Sequence, residues 1–314
     1  MEMTHLLERF LEACRVRNYS PRTIEDRRDQ IRLFIHWCAE RDVTEARQVT
    51  RPLAERYQYH LYHYRKSDGD PLSVGTQSMR LVAIRVFFKW LARHNHILYN
   101  PAAEIELPKQ PQQLPKHVLT AGEVEAVINQ PDINTALGLR DRAILEVFYS
   151  TGMRRQELAD LKLTDLDPER GTVMIRCGKG GKDRVVPIGS RAIAWLEKYR
   201  EEIRPELAMI PDDEIIFLLQ TRRPVSVHWL SALVRKYIDQ AELGKRGSCH
   251  LLRHSMATLM LENGADIRYI QVILGHEKLD TTQIYTRVSI ARLKEVHERI
   301  HPARDKRRSG DETS

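Results

Sequence analysis

The chain has 314 residues, 42% of them hydrophobic and 30% charged, which excludes wholesale disorder and suggests about two domains. Fifty Lys+Arg against 43 Asp+Glu give a net charge of +7, which permits a nucleic-acid partner without requiring one. No apolar run reaches the roughly 18 residues of a membrane helix, and charges interrupt every apolar stretch near the start, where a signal peptide would lie.

The N-terminal part reads as helices. Ser20 followed by Pro21 is an N-cap with proline at the first helical position. Ile24, Ile31, Phe34, Ile35 and Cys38 then recur on one helical face. A second helical segment covers roughly Pro52 to Lys66. A third opens at Ser73 and directs Leu81, Ile84, Phe88 and Leu91 inward. Arg80, Arg85, Lys89 and Arg93 occupy other positions of that third helix. Such cations suit either a solvated face or phosphate contact. Residues 1–100 hold 17 Lys+Arg and 12 Asp+Glu, a net of +5, so most of the basic excess lies in the smaller part.

Residues 107–118 contain three prolines and three glutamines and read as an extended linker. The boundaries expected are an N-terminal domain at 1–107, a linker at 108–118, a second domain at 119–300 and a disordered tail at 301–314. The second domain is expected to be mostly helical. Residues 139–150 form an apolar helix, with Ile144, Leu145 and Phe148 inward, stopped near Gly152. Residues 171–177 and 184–188 alternate as strands around Gly178-Lys179-Gly180-Gly181-Lys182, which gives a β-hairpin with lysine at its tip. Further helices are expected at 192–201, 226–242, 250–262, 266–274 and 288–300.

Several segments carry candidate chemistry. The glycine-lysine run lacks the Ser/Thr and the strand-to-helix context of a P-loop, so a tip that offers lysine to a phosphate is the better reading. In Thr151-Gly152-Met153-Arg154-Arg155-Gln156-Glu157-Leu158, a glycine stop precedes a new helix with Arg154 near its N-terminus. Backbone N–H groups and an arginine fork favour an anion there, although a surface arginine with a capping glutamate also fits. On a helix, His250, Arg253 and His254 share one face, displayed opposite Leu252, Met256, Leu259 and Met260. A histidine pair at i, i+4 can bind metal, but the arginine between the rings would repel a cation. Leu274-Gly275-His276 and Thr281-Thr282-Gln283-Ile284-Tyr285 follow. Cys14, Cys38, Cys177 and Cys249 form no C-x-x-C pair, which argues against a zinc ribbon and suits reduced thiols.

Taken in order, Thr-Gly-Met-Arg-x-x-Glu-Leu, the Gly-Lys-Gly hairpin, His-x-Leu-Arg-His, Leu-Gly-His and Thr-Thr-x-x-Tyr resemble the tyrosine recombinase (integrase) family, most nearly its Xer-type members. The resemblance covers nearly the whole chain. It implies a mainly α fold with a small antiparallel β-sheet: a helical, SAM-like core-binding domain plus an α+β catalytic domain. It implies a site-specific DNA recombinase that cleaves and rejoins strands through a covalent 3′-phosphotyrosine, with no cofactor, ATP or metal.

The implied roles are phosphate clamps for Arg154 and Arg253, general acid for Lys179, and acid–base work for His250. His276 contacts the phosphate or positions the tyrosine, and Tyr285 is the nucleophile. Lys179 is favoured over Lys182 by its Gly-Lys-Gly context. Glu157 is expected to brace the helix of Arg154. The implied partners are double-stranded DNA with inverted half-sites and further copies of the chain, as a tetramer on two sites, or a related recombinase. Val288, Leu293, Val296 and Ile300 would form an apolar stripe for docking on a neighbour. A cytoplasmic, nucleoid-associated location follows, and the task would be dimer resolution or mobile-element integration or transposition. The core-binding pattern begins within about the first twenty residues, so no arm-binding domain is expected before it. Two rival readings are a catalytically silent DNA-binding accessory protein of the same fold and a metal-dependent hydrolase using His250, His254 and His276.

Overall fold

The computed structural model describes residues 2–109, 117–176, 183–209 and 214–275. The hairpin tip with Lys179 and Lys182, most of the linker, the expected helix at 288–300 and the tail lie outside the described residues. The chain divides into two compact units, Met1–Gln112 and Gln113–Ser314.

Among the described residues, the first unit has four α-helices: α1 (Met3–Val16), α2 (Pro21–Ala39), α3 (Arg51–His63) and α4 (Val74–Arg93). Three of them start on hydroxyl caps. The side chains of Ser20, Thr50 and Ser73 accept from the backbone N–H of Thr23, Leu53 and Thr76, satisfying donors that a helix start otherwise leaves open. The apolar periodicity becomes the core. Ile24, Ile31, Phe34, Ile35 and Cys38 are buried, as are Leu81, Ile84, Phe88 and Leu91. Phe34 sits edge-on to Tyr57 at 4.9 Å and to Phe88 at 5.7 Å between ring centroids, so one ring joins three helices. Helix α1 was not among the expected elements. It contributes Met3, Leu6, Leu7, Phe10, Leu11 and Cys14 to this core.

The second unit contains α5 (Ala121–Ile128), α6 (Ala136–Thr151), α7 (Arg155–Ala159), α8 (Ser190–Glu202), α9 (Arg204–Leu207), α10 (Val227–Gln240), α11 (Cys249–Glu262) and α12 (Ile267–Leu274). Its antiparallel sheet, in the order β1-β2-β3, comprises β1 (Leu166–Asp167), β2 (Thr172–Ile175) and β3 (Arg184–Pro187). Val173 pairs with Val186, and both are buried together with Ile175. The strand alternation expected here is therefore, over Thr172–Ile175, the inward and outward faces of one layer.

Helix α6 is the axis of this unit and is buried nearly all round, including Arg140, Asp141, Arg142 and Glu146. Those charges are compensated in place. Arg140 meets Asp141 at 2.8 Å, Arg142 meets Glu146 at 2.9 Å, and the Tyr237 hydroxyl donates to Asp141 at 2.8 Å. Pairing is what makes ionised groups tolerable there. Helix α6 ends at Gly152, whose φ is +57°. The left-handed turn favours glycine there, and a Cβ would also lie 2.0 Å from the Met256 methyl of α11, which would have to swing aside.

The fold is thus mainly α with a small antiparallel sheet. No described helix is long and apolar enough to cross a membrane. Cys14, Cys38 and Cys249 are free and buried. Replacing Phe34 by Ala removes the ring shared by α2, α3 and α4, and should lower the stability of the first unit by about 3–5 kcal/mol. Urea unfolding of the whole chain, followed by tryptophan fluorescence, measures this because Trp37 and Trp90 lie in that core.

Candidate active site

The site grows from the end of α12. The last carbonyls of a helix have no partner inside it and carry the negative end of its dipole. Here every one of them is answered. Gly275, in left-handed conformation at φ +61°, donates its N–H to the carbonyls of Gln271 and Val272. The next three carbonyls accept from three arginines on three other elements. Arg184 Nε at the start of β3 donates to Ile273 at 3.2 Å. Arg253 Nη2 on α11 donates to Leu274 at 2.8 Å. Arg154 Nη2 at the N-cap of α7 donates to Gly275 at 2.9 Å. Arg253 Nη1 also holds the carbonyl of Gly152, so it ties the end of α6 to the end of α12. A Cβ at Gly275 would fall 2.9 Å from the Arg184 guanidinium, so only glycine lets that arginine approach.

Glu157 organises two of these arginines. Its Oε1 accepts from Arg154 Nη1 and Arg184 Nη1, both at 2.8 Å. Its Oε2 accepts from Arg184 Nη2 and the Arg154 backbone N–H, both at 2.7 Å. Burial alone would raise this carboxyl's pKa. The hydrogen bonds and charge of Arg184 and Arg154 overcome that and bring it down to about 2.

His250, at the start of α11, remains exposed. Partial loss of hydration, then repulsion from Arg253, Arg155 and Arg154, lowers its pKa. The half-buried His254 is lowered by burial, His250 and Arg253, with the two rings 6.5 Å apart. Both imidazoles are therefore held toward the neutral form near pH 7.

The structure brings Arg154, Arg253 and His250 to one locality, with Glu157 bracing Arg154. It corrects one expectation. Helical spacing displays Arg253 beside the two histidines, yet Arg253 is only 5% exposed. The reason is α12, which packs on α11 through Met256, Ala257, Leu261, Ile270 and Leu274; Met256 and Ala257 lie one turn on from Arg253, beside it and not opposite, so this contact covers the arginine's side of the helix. Lys179, His276 and Tyr285 lie outside the described residues. In the first unit, Lys89 and Arg93 are exposed and Arg85 is half-buried. Arg80 stands apart from them, its guanidinium over the Tyr64 ring at 5.9 Å. Arg184 was absent from the expected site. Nothing local marks it, because its partner Glu157 lies 27 residues earlier.

Residues 117–292 match the phage integrase family, and residues 6–96 match the phage integrase N-terminal SAM-like domain. The chain is 50% identical over 302 residues to tyrosine recombinase XerC 2 of Ralstonia nicotianae, covering 96% of this chain and 87% of that one. It is 35% identical to tyrosine recombinase XerD of Listeria monocytogenes, over 96% and 99% of the two chains. Among solved structures, XerH site-specific recombinase bound to palindromic difH substrate, a post-cleavage complex, superposes with a TM-score of 0.72. That likeness has 25% identity and spans 93% of this chain and 83% of that one. The chain belongs to the phage integrase family, as a Xer-type tyrosine recombinase, an enzyme of site-specific DNA recombination.

The Glu157 carboxyl generates a pH prediction. Its pKa is depressed in the folded state, from 4.5 to about 2. Its contribution is thus complete above pH 4.5 and is lost as pH falls toward 2. That contribution is on the order of 3 kcal/mol. Urea unfolding at pH 7, 4 and 3 should show wild type losing more stability on acidification than Glu157→Gln. Parallel losses in the two proteins would contradict the assignment.

Proposed function

We propose that the chain cleaves and rejoins DNA strands through a 3′-phosphotyrosine formed by Tyr285. The single observation that carries this reading is the convergence of Arg154 and Arg253, distant in sequence, on the adjacent carbonyls of Gly275 and Leu274. The next residue in the sequence is His276. Attack on a phosphodiester builds negative charge on its non-bridging oxygens. Two guanidiniums fixed in advance stabilise that charge without reorganising when the reaction occurs.

Tyrosine has an ordinary pKa of about 10 and needs a base or a cationic field to become a nucleophile. His250, its pKa lowered by its surroundings, accepts the phenolic proton and returns it in the reverse step. Lys179 protonates the departing 5′-oxygen, and His276 holds the phosphate or orients the tyrosine. The phosphotyrosine bond conserves the energy of the broken phosphodiester, so religation requires no ATP, and the arginines take the role a metal ion plays in other nucleases.

The partner is double-stranded DNA with inverted half-sites, in keeping with the palindromic substrate named for the XerH complex. The working form is an oligomer of this chain, a tetramer on two sites, formed alone or with a related recombinase. The domain at 1–107, with Arg80, Arg85, Lys89 and Arg93, supplies phosphate contacts. The linker at 108–118 joins it to the catalytic domain at 119–300.

The test begins by recovering the site from a library of random-sequence duplexes and building a nicked suicide substrate from it. Wild type should form a covalent protein–DNA adduct with undiminished yield in EDTA. Tyr285→Phe should bind the same duplex within about threefold of wild type and form no adduct. A covalent adduct in Tyr285→Phe contradicts the proposal, and loss of cleavage in EDTA supports the hydrolase alternative.

A further inference from the structure

Arg184 has no role in the reaction as proposed above, yet each of its three guanidinium nitrogens is engaged at the site. Its two terminal nitrogens grip the two oxygens of Glu157 at 2.8 and 2.7 Å, and its Nε holds the Ile273 carbonyl. Its side chain is 13% exposed and that of Glu157 is 5% exposed, against 24% for Arg154. Arg154 is therefore the more open of two arginines that share one buried carboxylate.

The charges of this trio do not divide evenly. Glu157 brings one negative charge, and Arg154 and Arg184 bring two positive ones, so the group keeps a net positive charge. Arg154 and Glu157 alone would make a neutral pair, and the carboxylate would cancel much of the field that Arg154 presents to a phosphate. The geometry favours unequal sharing. Glu157 receives both terminal nitrogens of Arg184 but only one guanidinium nitrogen of Arg154. Bidentate pairing is the stronger form of this contact.

We propose that Arg184 is a positioning residue for strand cleavage, taking up the charge of Glu157 so that Arg154 is braced by that carboxylate without being neutralised by it. Arg184 also opens β3 and holds the end of α12. It thus fixes the strand that follows Lys179 in sequence to the helix that precedes His276. The inference rests on the reading of Arg154 as a phosphate clamp.

A charge-balancing Arg184 has a consequence that a purely structural Arg184 does not. Removing Arg184 leaves Glu157 free to neutralise Arg154, and removing the Glu157 charge as well restores the net charge. Single-turnover cleavage of the selected nicked duplex is measured for Arg184→Gln, Arg184→Gln/Glu157→Gln, Arg184→Lys and Arg154→Ala. DNA binding and thermal unfolding are followed in parallel. Arg184→Gln should cleave roughly 100-fold more slowly while binding DNA within about threefold of wild type. The double variant should recover at least about tenfold of that loss despite having fewer native contacts. A double variant no faster than Arg184→Gln, or Arg184→Gln cleaving like wild type, overturns the proposal. Should Arg184→Gln not fold, Arg184→Lys keeps the charge without the fork and carries the test. Cleavage within about tenfold of wild type then supports the charge role, and a roughly 100-fold loss in the folded protein overturns it. Wild-type cleavage by Arg154→Ala overturns the reading of the site itself. Loss in Arg154→Ala with no recovery in the double variant overturns this inference alone.

Discussion

The end of α12 is the constraint on which the site depends. Three consecutive carbonyls, Ile273, Leu274 and Gly275, are held by Arg184, Arg253 and Arg154 from β3, α11 and α7. Hydrogen bonds to charged donors contribute about 1.5–3 kcal/mol each, and the negative end of the helix dipole adds to the attraction. The elements that converge here are far apart in the chain, so this one turn specifies how they pack. It also fixes where the chain stands as it leaves Gly275 toward His276 and Tyr285. In the proposed reaction, two of the same guanidiniums meet the scissile phosphate. In that reading the end of α12 and the groups that hold the phosphate are located by the same atoms.

Charge placement, more than total charge, carries this account. The chain's +7 is modest, and the second unit buries several charges that serve its own packing, such as Arg140 with Asp141 and Arg142 with Glu146. Removing one member of such a pair is far costlier than the net worth of the pair. The arginines near α12 differ because one carboxylate is divided between two of them. Glu157 orders the cluster without making it neutral, which is the property a phosphate site needs.

Much of this was legible in the sequence. The caps at Ser20 and Ser73 and the periodic faces of α2, α4 and α6 have local causes, and those residues are buried as their spacing implies. The antiparallel pairing of β2 with β3 followed from their alternation. Helix α1 was equally legible in the spacing of Met3, Leu6, Leu7, Phe10, Leu11 and Cys14, but Glu2 provides no side-chain cap to announce its start. Helix α5 carries a capping box from Thr120 to Glu123, a local signal of its start. Other features had no local signal. Strand β1 is two residues long and exists through pairing with β2. Arg253 reads as part of a displayed polar face until α12 covers it, and Arg184 gains its meaning only when β3 returns beside α7. Helical periodicity reports which face is polar, and tertiary packing decides whether that face meets water or a row of carbonyls.

The central claim is that this arginine-braced site delivers the phosphate to Tyr285. Mapping the covalent bond tests it most directly. Wild-type adduct trapped on the nicked duplex is digested with nuclease and trypsin, and the modified peptide is sequenced by mass spectrometry. Cleavage after Lys278 and Arg287 yields Leu279–Arg287, in which Tyr285 is the only tyrosine. The account predicts a phosphate-linked nucleotide remnant on Tyr285 of that peptide. A remnant on any other peptide, or on a histidine, would contradict it.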